Sequence, residues 1–74
     1  MEREKMGYNV IPRNYNRITA QILISTSKHV PGDVVHVFRN DYGHLALNMR
    51  TNEYAYVFPS MLRNPACCKF TEII

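Results

Sequence analysis

The chain has 74 residues, of which 46% are hydrophobic and 20% are charged, and its formal net charge is +3. This length provides one small domain with a thin core, and the apolar content is too high for a disordered chain. A large enclosed active site is not expected, and no apolar run is long enough to span a membrane. The positive charge permits attraction to nucleic acid or to an acidic partner, but the basic residues stand singly rather than in runs.

Residues 1–17 mix charged residues, Asn, Gly and Pro, and they show no helical or strand periodicity. They predict an N-terminal arm, either partly ordered or flexible, in front of a domain that covers residues 18–74. The first five residues carry four charges and lack the apolar core of a signal peptide. The sequence therefore predicts a cytoplasmic protein with no membrane contact.

Two strands are indicated in the first half of the domain. Residues 18–25 alternate, which places Ile18, Ala20, Ile22 and Ile24 on one face. Pro31, Gly32 and Asp33 predict a turn in which the Asp33 side chain acts as a cap. Residues 34–38 are rich in β-branched and aromatic side chains, so they form the second strand.

A hairpin turn at residues 40–43 leads to a third strand over residues 44–49. Its alternation predicts that Leu45, Leu47 and Met49 point inward and that His44, Ala46 and Asn48 point outward. The fourth strand covers residues 54–58, and the aromatic side chains of Tyr54, Tyr56 and Phe58 share one face, which is expected to be the core face. The expected core comprises Ile22, Val35, Val37, Leu45, Leu47 and either Val57 or Tyr56.

Pro59 cannot continue a strand ladder, so a short helical turn is predicted at residues 59–62, and residues 68–74 supply a last strand. Five short strands and no long helix predict an all-β domain, a small closed or nearly closed barrel. The step Pro31-Gly32-Asp33 before a Val-rich strand and the segment Phe58-Pro59-Ser60-Met61-Leu62 resemble the SH3-like barrel family. The resemblance covers residues 18–74 and implies a five-stranded SH3-like barrel.

SH3 domains that bind proline-rich peptides use a groove of aromatic side chains, because flat rings pack against a polyproline helix. This chain has no Trp, and its third strand opens with His44 and Leu45. Pro59 matches the family pattern, but Leu62 stands where the family places Tyr. Binding of proline-rich peptides by that groove is therefore not expected.

His29, His36, His44, Cys67 and Cys68 are the residue types that bind zinc. Their spacing contains no Cys-x-x-Cys or His-x-x-x-His pair, so neither a metal nor a cofactor is predicted. The adjacent cysteines are expected to be small apolar residues, with a redox or metal role as the alternative. No phosphate loop, nucleophile elbow or paired carboxylate appears, which predicts a chain that is not an enzyme.

Two hypotheses for function follow from the aromatic and basic residues. A protein-interaction module would bind its partner through exposed apolar side chains, and the candidate residues are Tyr42, His44, Pro59, Met61 and Leu62. A single-stranded RNA or DNA binder would stack bases on tyrosines and neutralise phosphates with arginines. Its candidate residues are Arg39, Tyr42, Arg50, Tyr54 and Arg63. The protein-binding hypothesis is favoured, and the small size suits a regulator, inhibitor or adaptor, including one made by a virus or mobile element.

Overall fold

The computed structural model describes residues 7–74. Its elements in chain order are β1 (Ile18–Ile22), β2 (Val34–Asn40), β3 (Gly43–Asn48), β4 (Tyr54–Val57), α1 (Pro59–Arg63) and β5 (Cys68–Ile73). The all-β class, the five strands and the short helical turn that begins at Pro59 are confirmed.

The five strands form one antiparallel sheet in the order β4-β3-β2-β1-β5. Within residues 7–74, β4 pairs only with β3 and β5 pairs only with β1, so these two strands are the sheet edges. Among these residues the sheet is therefore open, and they do not form the strand ladder that would close a barrel. The resemblance to SH3-like barrels stays a prediction.

The core covers one face of this sheet, which we call the inner face. It is built from alternate residues of β1 and β2 together with side chains from the arm, β3, β4, α1 and β5. Its members are Tyr15, Ile18, Ala20, Ile22, Val35, Val37, Ala46, Val57, Leu62 and Cys68. The expected core positions Ile22, Val35, Val37 and Val57 are confirmed.

The expected orientation of β3 is wrong. Ala46 pairs with Val37 and Asn48 pairs with Val35, so the Ala46 and Asn48 side chains are buried on the inner face. Leu47 pairs with His36 and lies half-buried on the opposite, outer face. Leu45 is half-buried on the same outer face, and Met49 just beyond the strand is exposed.

Hydrogen bonding explains why a polar residue replaces a leucine in the core. The Asn48 amide donates to Asp33 Oδ2 over 2.9 Å, and its oxygen accepts from the Arg50 backbone N–H over 2.8 Å. A buried amide with partners on both of its polar atoms costs little. The small Ala46 side chain fits the thin core beside it.

The orientation expected for β4 is also wrong. Val57 is buried on the inner face, whereas the three aromatic side chains expected in the core, those of Tyr54, Tyr56 and Phe58, are exposed. The register accounts for this, because Ala46 pairs with Ala55 and thereby assigns Ala55 and Val57 to the inner face.

Residues 7–17 of the arm contain no strand, and they lie against α1 and β5. The Asn9 side chain donates to the Leu62 and Cys68 carbonyl oxygens at 2.9 and 3.0 Å. Tyr15 is part of the core, and the Arg17 N–H donates to the Ile74 carbonyl oxygen over 3.1 Å. Residues 1–6, the remainder of the predicted arm, lie outside the described part of the chain.

Candidate functional site

The outer face of β2, β3 and β4 carries two rows of side chains that run across the strands. His36 pairs with Leu47 and Leu47 with Tyr54, while Phe38 pairs with Leu45 and Leu45 with Tyr56. We call the five apolar members the aromatic face: Phe38, Leu45, Leu47, Tyr54 and Tyr56. Tyr54 is 60% exposed and Tyr56 is 52% exposed, so this face is a continuous apolar surface open to solvent.

A groove of about 340 Å³ continues the aromatic face at the end of β4. Its walls are the β2–β3 hairpin tip and the segment that leads into α1. The lining residues are Tyr42, Gly43, His44, Tyr56, Val57, Phe58 and Pro59. Tyr42 is 86% exposed and Phe58 is 79% exposed, which leaves both aromatic rings available to a ligand.

Asn40, the last residue of β2, organises one wall of this groove. Its amide nitrogen donates to the Tyr56 hydroxyl over 2.9 Å, and its amide oxygen accepts from the Tyr42 backbone N–H over 2.8 Å. Gly43 is part of the same hairpin tip and has a φ of +131°, a backbone conformation that residues other than glycine rarely adopt. The hairpin tip is thereby fixed to the aromatic face.

His44 joins the groove to the core. Its Nδ1 atom shares a hydrogen bond of 2.7 Å with the Tyr15 hydroxyl, and the two rings stack at 5.9 Å between centroids. Burial lowers the pKa of His44, and the charges of Arg39 and Arg63 lower it further. Burial also raises the pKa of Tyr15. The pair is therefore neutral near pH 7, and two arginines lie close to this end of the groove.

The structure brings three of the five candidate protein-binding residues together, because Tyr42, His44 and Pro59 all line the groove. Met61 is half-buried against the core from its position in α1. Leu62 is only 1% exposed, so it is a core residue and not part of a binding surface.

The candidate nucleic-acid residues do not form one surface. Tyr42 and Tyr54 are exposed, but the Arg50 guanidinium is bound to Asp33 with Nε and Oδ1 2.6 Å apart. Arg39 pairs with His44 across the strands, and the charges of Arg39 and Arg63 both act on His44, which is not a residue of the aromatic face.

Sequence reasoning missed Phe58 as a groove residue, and it placed Tyr54 and Tyr56 in the core. A signal for the correct position was present, since a small domain cannot bury all of its five tyrosines and three phenylalanines. The tyrosine that the core does take is Tyr15, which lies in the arm and has no strand pattern around it.

The candidate metal ligands are not assembled. Among residues 7–74, no group of three or more His, Cys, Asp or Glu side chains could hold a metal ion. The Cys68 thiol donates to the Leu62 carbonyl oxygen over 3.3 Å, and burial raises its pKa to about 11. A protonated thiol in the core is a structural apolar residue rather than a nucleophile.

Comparison of the chain with protein-family models, with curated proteins and with solved structures finds no match. No helix within residues 7–74 is long and apolar enough to cross a membrane. The assignment of a function therefore depends on the aromatic face and the groove.

Proposed function

We propose that this chain is a small, non-catalytic protein-binding module that acts as a regulator, inhibitor or adaptor of a partner protein. The observation that carries the proposal is the aromatic face, whose five apolar side chains lie on adjacent strands and continue into the groove. Aromatic side chains are enriched in the centre of protein interfaces, and a contiguous apolar patch on a small domain is the usual sign of one.

The charges near the groove favour a particular kind of partner surface. Arg39 and Arg63 lie near its His44 end, and the chain as a whole carries a net charge of +3. The partner that fits is an apolar protein surface with acidic residues at its rim, because such charges speed association and select the correct orientation. The turn at Gly32 and the helical turn at Pro59 are the features that support an SH3-like fold for this module.

A capture experiment tests the proposal with two matched double variants. Tyr42→Ser with Phe58→Ser removes two exposed groove rings, whereas Tyr8→Ser with Val10→Ser removes two exposed apolar side chains from the arm. We expect the parent and the arm variant to capture the same protein from a cell lysate and to retain it after nuclease treatment. The groove variant should fail to capture this protein. Equal retention by the groove variant, or loss of the protein after nuclease treatment, would contradict the proposal.

Single-stranded nucleic acid is the second candidate ligand, and one observation favours it. Tyr42, Tyr54 and Tyr56 are exposed, so they are available to stack on bases. The arginines give less support, because Arg50 is already bound to Asp33. Protein binding is therefore ranked first, and the salt dependence described below separates the two candidates.

A further inference from the structure

The two edges of the sheet differ in how well they are protected from pairing with another strand. Natural edge strands are usually blocked by charged side chains, proline, bulges or a covering segment. β5 has three of these features: it carries Lys69 and Glu72, its pairing with β1 contains a register shift, and Asn9 covers it by donating to the Cys68 carbonyl oxygen. β4 has the sequence Tyr-Ala-Tyr-Val, without charge, proline or register shift, and its short length of four residues is the one protective feature of this kind that it has.

The register shows which backbone groups of β4 are open. The Asn48 N–H donates to the Glu53 carbonyl oxygen over 2.9 Å, which makes these residues a hydrogen-bonded pair. Hydrogen-bonded and non-hydrogen-bonded pairs alternate along antiparallel strands. The backbone N–H and C=O groups of Ala55 and Val57 therefore point toward β3. The N–H and C=O groups of Tyr54 and Tyr56 therefore point away from β3, and no strand within residues 7–74 pairs with them.

We propose that β4 pairs antiparallel with β4 of a second copy of this chain and forms a symmetric homodimer. Tyr54 then stands opposite Tyr56 of the second copy, and Ala55 stands opposite its own counterpart on the two-fold axis. This register uses all four open backbone groups of each strand in four hydrogen bonds. It also joins the two aromatic faces into one, with two Tyr–Tyr pairs at the junction.

The symmetry of the strand's own sequence favours a second copy over an unrelated strand, because Tyr54-Ala55-Tyr56 is the same in both directions and a two-fold interface needs a self-complementary patch. The pairs Arg39–His44 and His44–Val57 form a row on the inner side of the sheet. In the proposed register, Val57 stands opposite Glu53 of the second copy. Glu53 of the second copy therefore continues this row three strand positions away from Arg39, and no like charges stand opposite each other across the strand pair because β4 carries no charge.

The association state of the purified chain tests the proposal, and the measurement needs no other partner. Tyr54→Pro removes an N–H that has no acceptor within residues 7–74, whereas Tyr54→Val keeps it, and both remove the same ring. We expect sedimentation equilibrium to show a dimer for the parent and the Val variant. The Pro variant should have a dissociation constant at least about tenfold higher, because two intermolecular hydrogen bonds are lost. A parent that stays monomeric at its highest soluble concentration would overturn the proposal, as would a Pro variant that dimerises like the Val variant.

Disulfide formation tests the register itself, even if the Pro variant does not fold. In an Ala55→Cys variant the two new cysteines would have Cα atoms about 4.5 Å apart, within disulfide range. In a Tyr54→Cys variant they would be about 9 Å apart, because the two positions are offset by two residues. We expect air oxidation to produce a 55–55 disulfide, mapped by mass spectrometry, and no 54–54 disulfide.

The reverse crosslinking pattern, or monomeric Ala55→Cys chains, would refute this register. A monomer whose β4 amide protons become protected only when an extended peptide is added would assign the edge to a different occupant. The dimer goes beyond the proposed function, since it can fail while the aromatic face still binds a partner protein.

Discussion

Asp33 links three separate parts of the chain through one buried carboxylate. It accepts hydrogen bonds from the Val30 N–H of its own turn, from the Asn48 amide of β3 and from the Arg50 guanidinium. The bond from Arg50 is the main reason that the pKa of Asp33 lies far below its ordinary value of 3.8, and the Val30 N–H contributes next. The folded state therefore stabilises the charged form of Asp33.

Acid should destabilise the fold through Asp33. A carboxylate whose folded pKa is depressed contributes stability above its unfolded pKa and loses that contribution as the pH falls through the folded value. We expect the free energy of unfolding, measured in urea, to decline once the pH drops below about 4. An Asp33→Asn variant should be less stable at pH 7 and should show a shallower decline. Parallel curves for parent and variant would mean that another group controls acid unfolding.

His44 should respond to its neighbouring arginines in a way that NMR can measure. Burial and the charges of Arg39 and Arg63 lower the pKa of His44 from its ordinary value of 6.5. The neutral form of His44 therefore stabilises the fold above pH 6.5. The contribution is lost as the pH falls through the lowered pKa. We expect Arg39→Gln to raise the pKa of His44 and the exposed control Arg13→Gln to leave it unchanged. Equal values in parent and Arg39→Gln would place Arg39 away from the groove.

Local chemistry of this kind was partly predictable from the sequence. The cap that Asp33 forms on its own turn was predicted and is confirmed, because Asp beside a turn glycine bonds to nearby backbone. Its bond to Arg50 was not predictable, since the two residues are seventeen positions apart and the strand register brings them together. The same limit applies to Tyr15 and His44, which are twenty-nine positions apart.

Strand β3 shows how far a pattern of alternation can be used. Positions were predicted correctly, since the predicted strand at residues 44–49 and the observed Gly43–Asn48 nearly coincide. The inner face of β3 was predicted wrongly. Alternation defines two faces of a strand, but only the pairing with β2 decides which of them points toward the core. The rule that apolar side chains point inward failed since Asn48 has buried partners, while Leu45 and Leu47 belong to a surface patch.

Two leucine truncations should separate the faces by stability. Leu62 is fully buried beneath the sheet, and Leu47 lies half-buried on the aromatic face. We expect Leu62→Ala to lower the free energy of unfolding by about 2–5 kcal/mol, the cost of emptying a core site. Leu47→Ala should cost less than half as much, because water already reaches its side chain. Urea denaturation of both variants measures the difference, and a larger loss for Leu47→Ala would return β3 to the orientation expected from its sequence.

At the scale of the whole molecule, the aromatic face differs from the basic surface that a nucleic-acid binder needs. The aromatic face lies on β2, β3 and β4, while Arg50 is bound to Asp33 and Arg17 is bound to Glu72 over 2.8 Å. The formal net charge of the chain is only +3. Such a surface suits burial against another apolar surface better than it suits a phosphate backbone.

Salt dependence should distinguish the two candidate ligands. Contacts of Arg39, Arg50 and Arg63 with phosphates would make the affinity fall with a logarithmic slope of about −2, or about −0.7 for each contact. We expect no complex with mixed-sequence single strands tighter than roughly 10 µM near physiological salt, because so few charges support only weak non-specific binding. A submicromolar complex that Arg39→Ala abolishes would make nucleic acid the principal ligand. Fluorescence anisotropy across a salt series provides the measurement.

The position of β1 between β2 and β5 has a consequence for how the chain folds. β1 pairs with β5, so that Ile18 meets Ile73 across nearly the whole sequence, whereas β2, β3 and β4 are joined by short turns. Closing so long a loop costs more entropy than closing a hairpin, and folds dominated by such contacts take roughly milliseconds to seconds. We therefore expect the neighbouring strands β1 to β4 to pair early and to wait with β1 still lacking its second neighbour, β5. During that interval the open strand edge is available to pair with a strand of another chain. We therefore expect the yield of refolded protein to fall as the chain concentration rises.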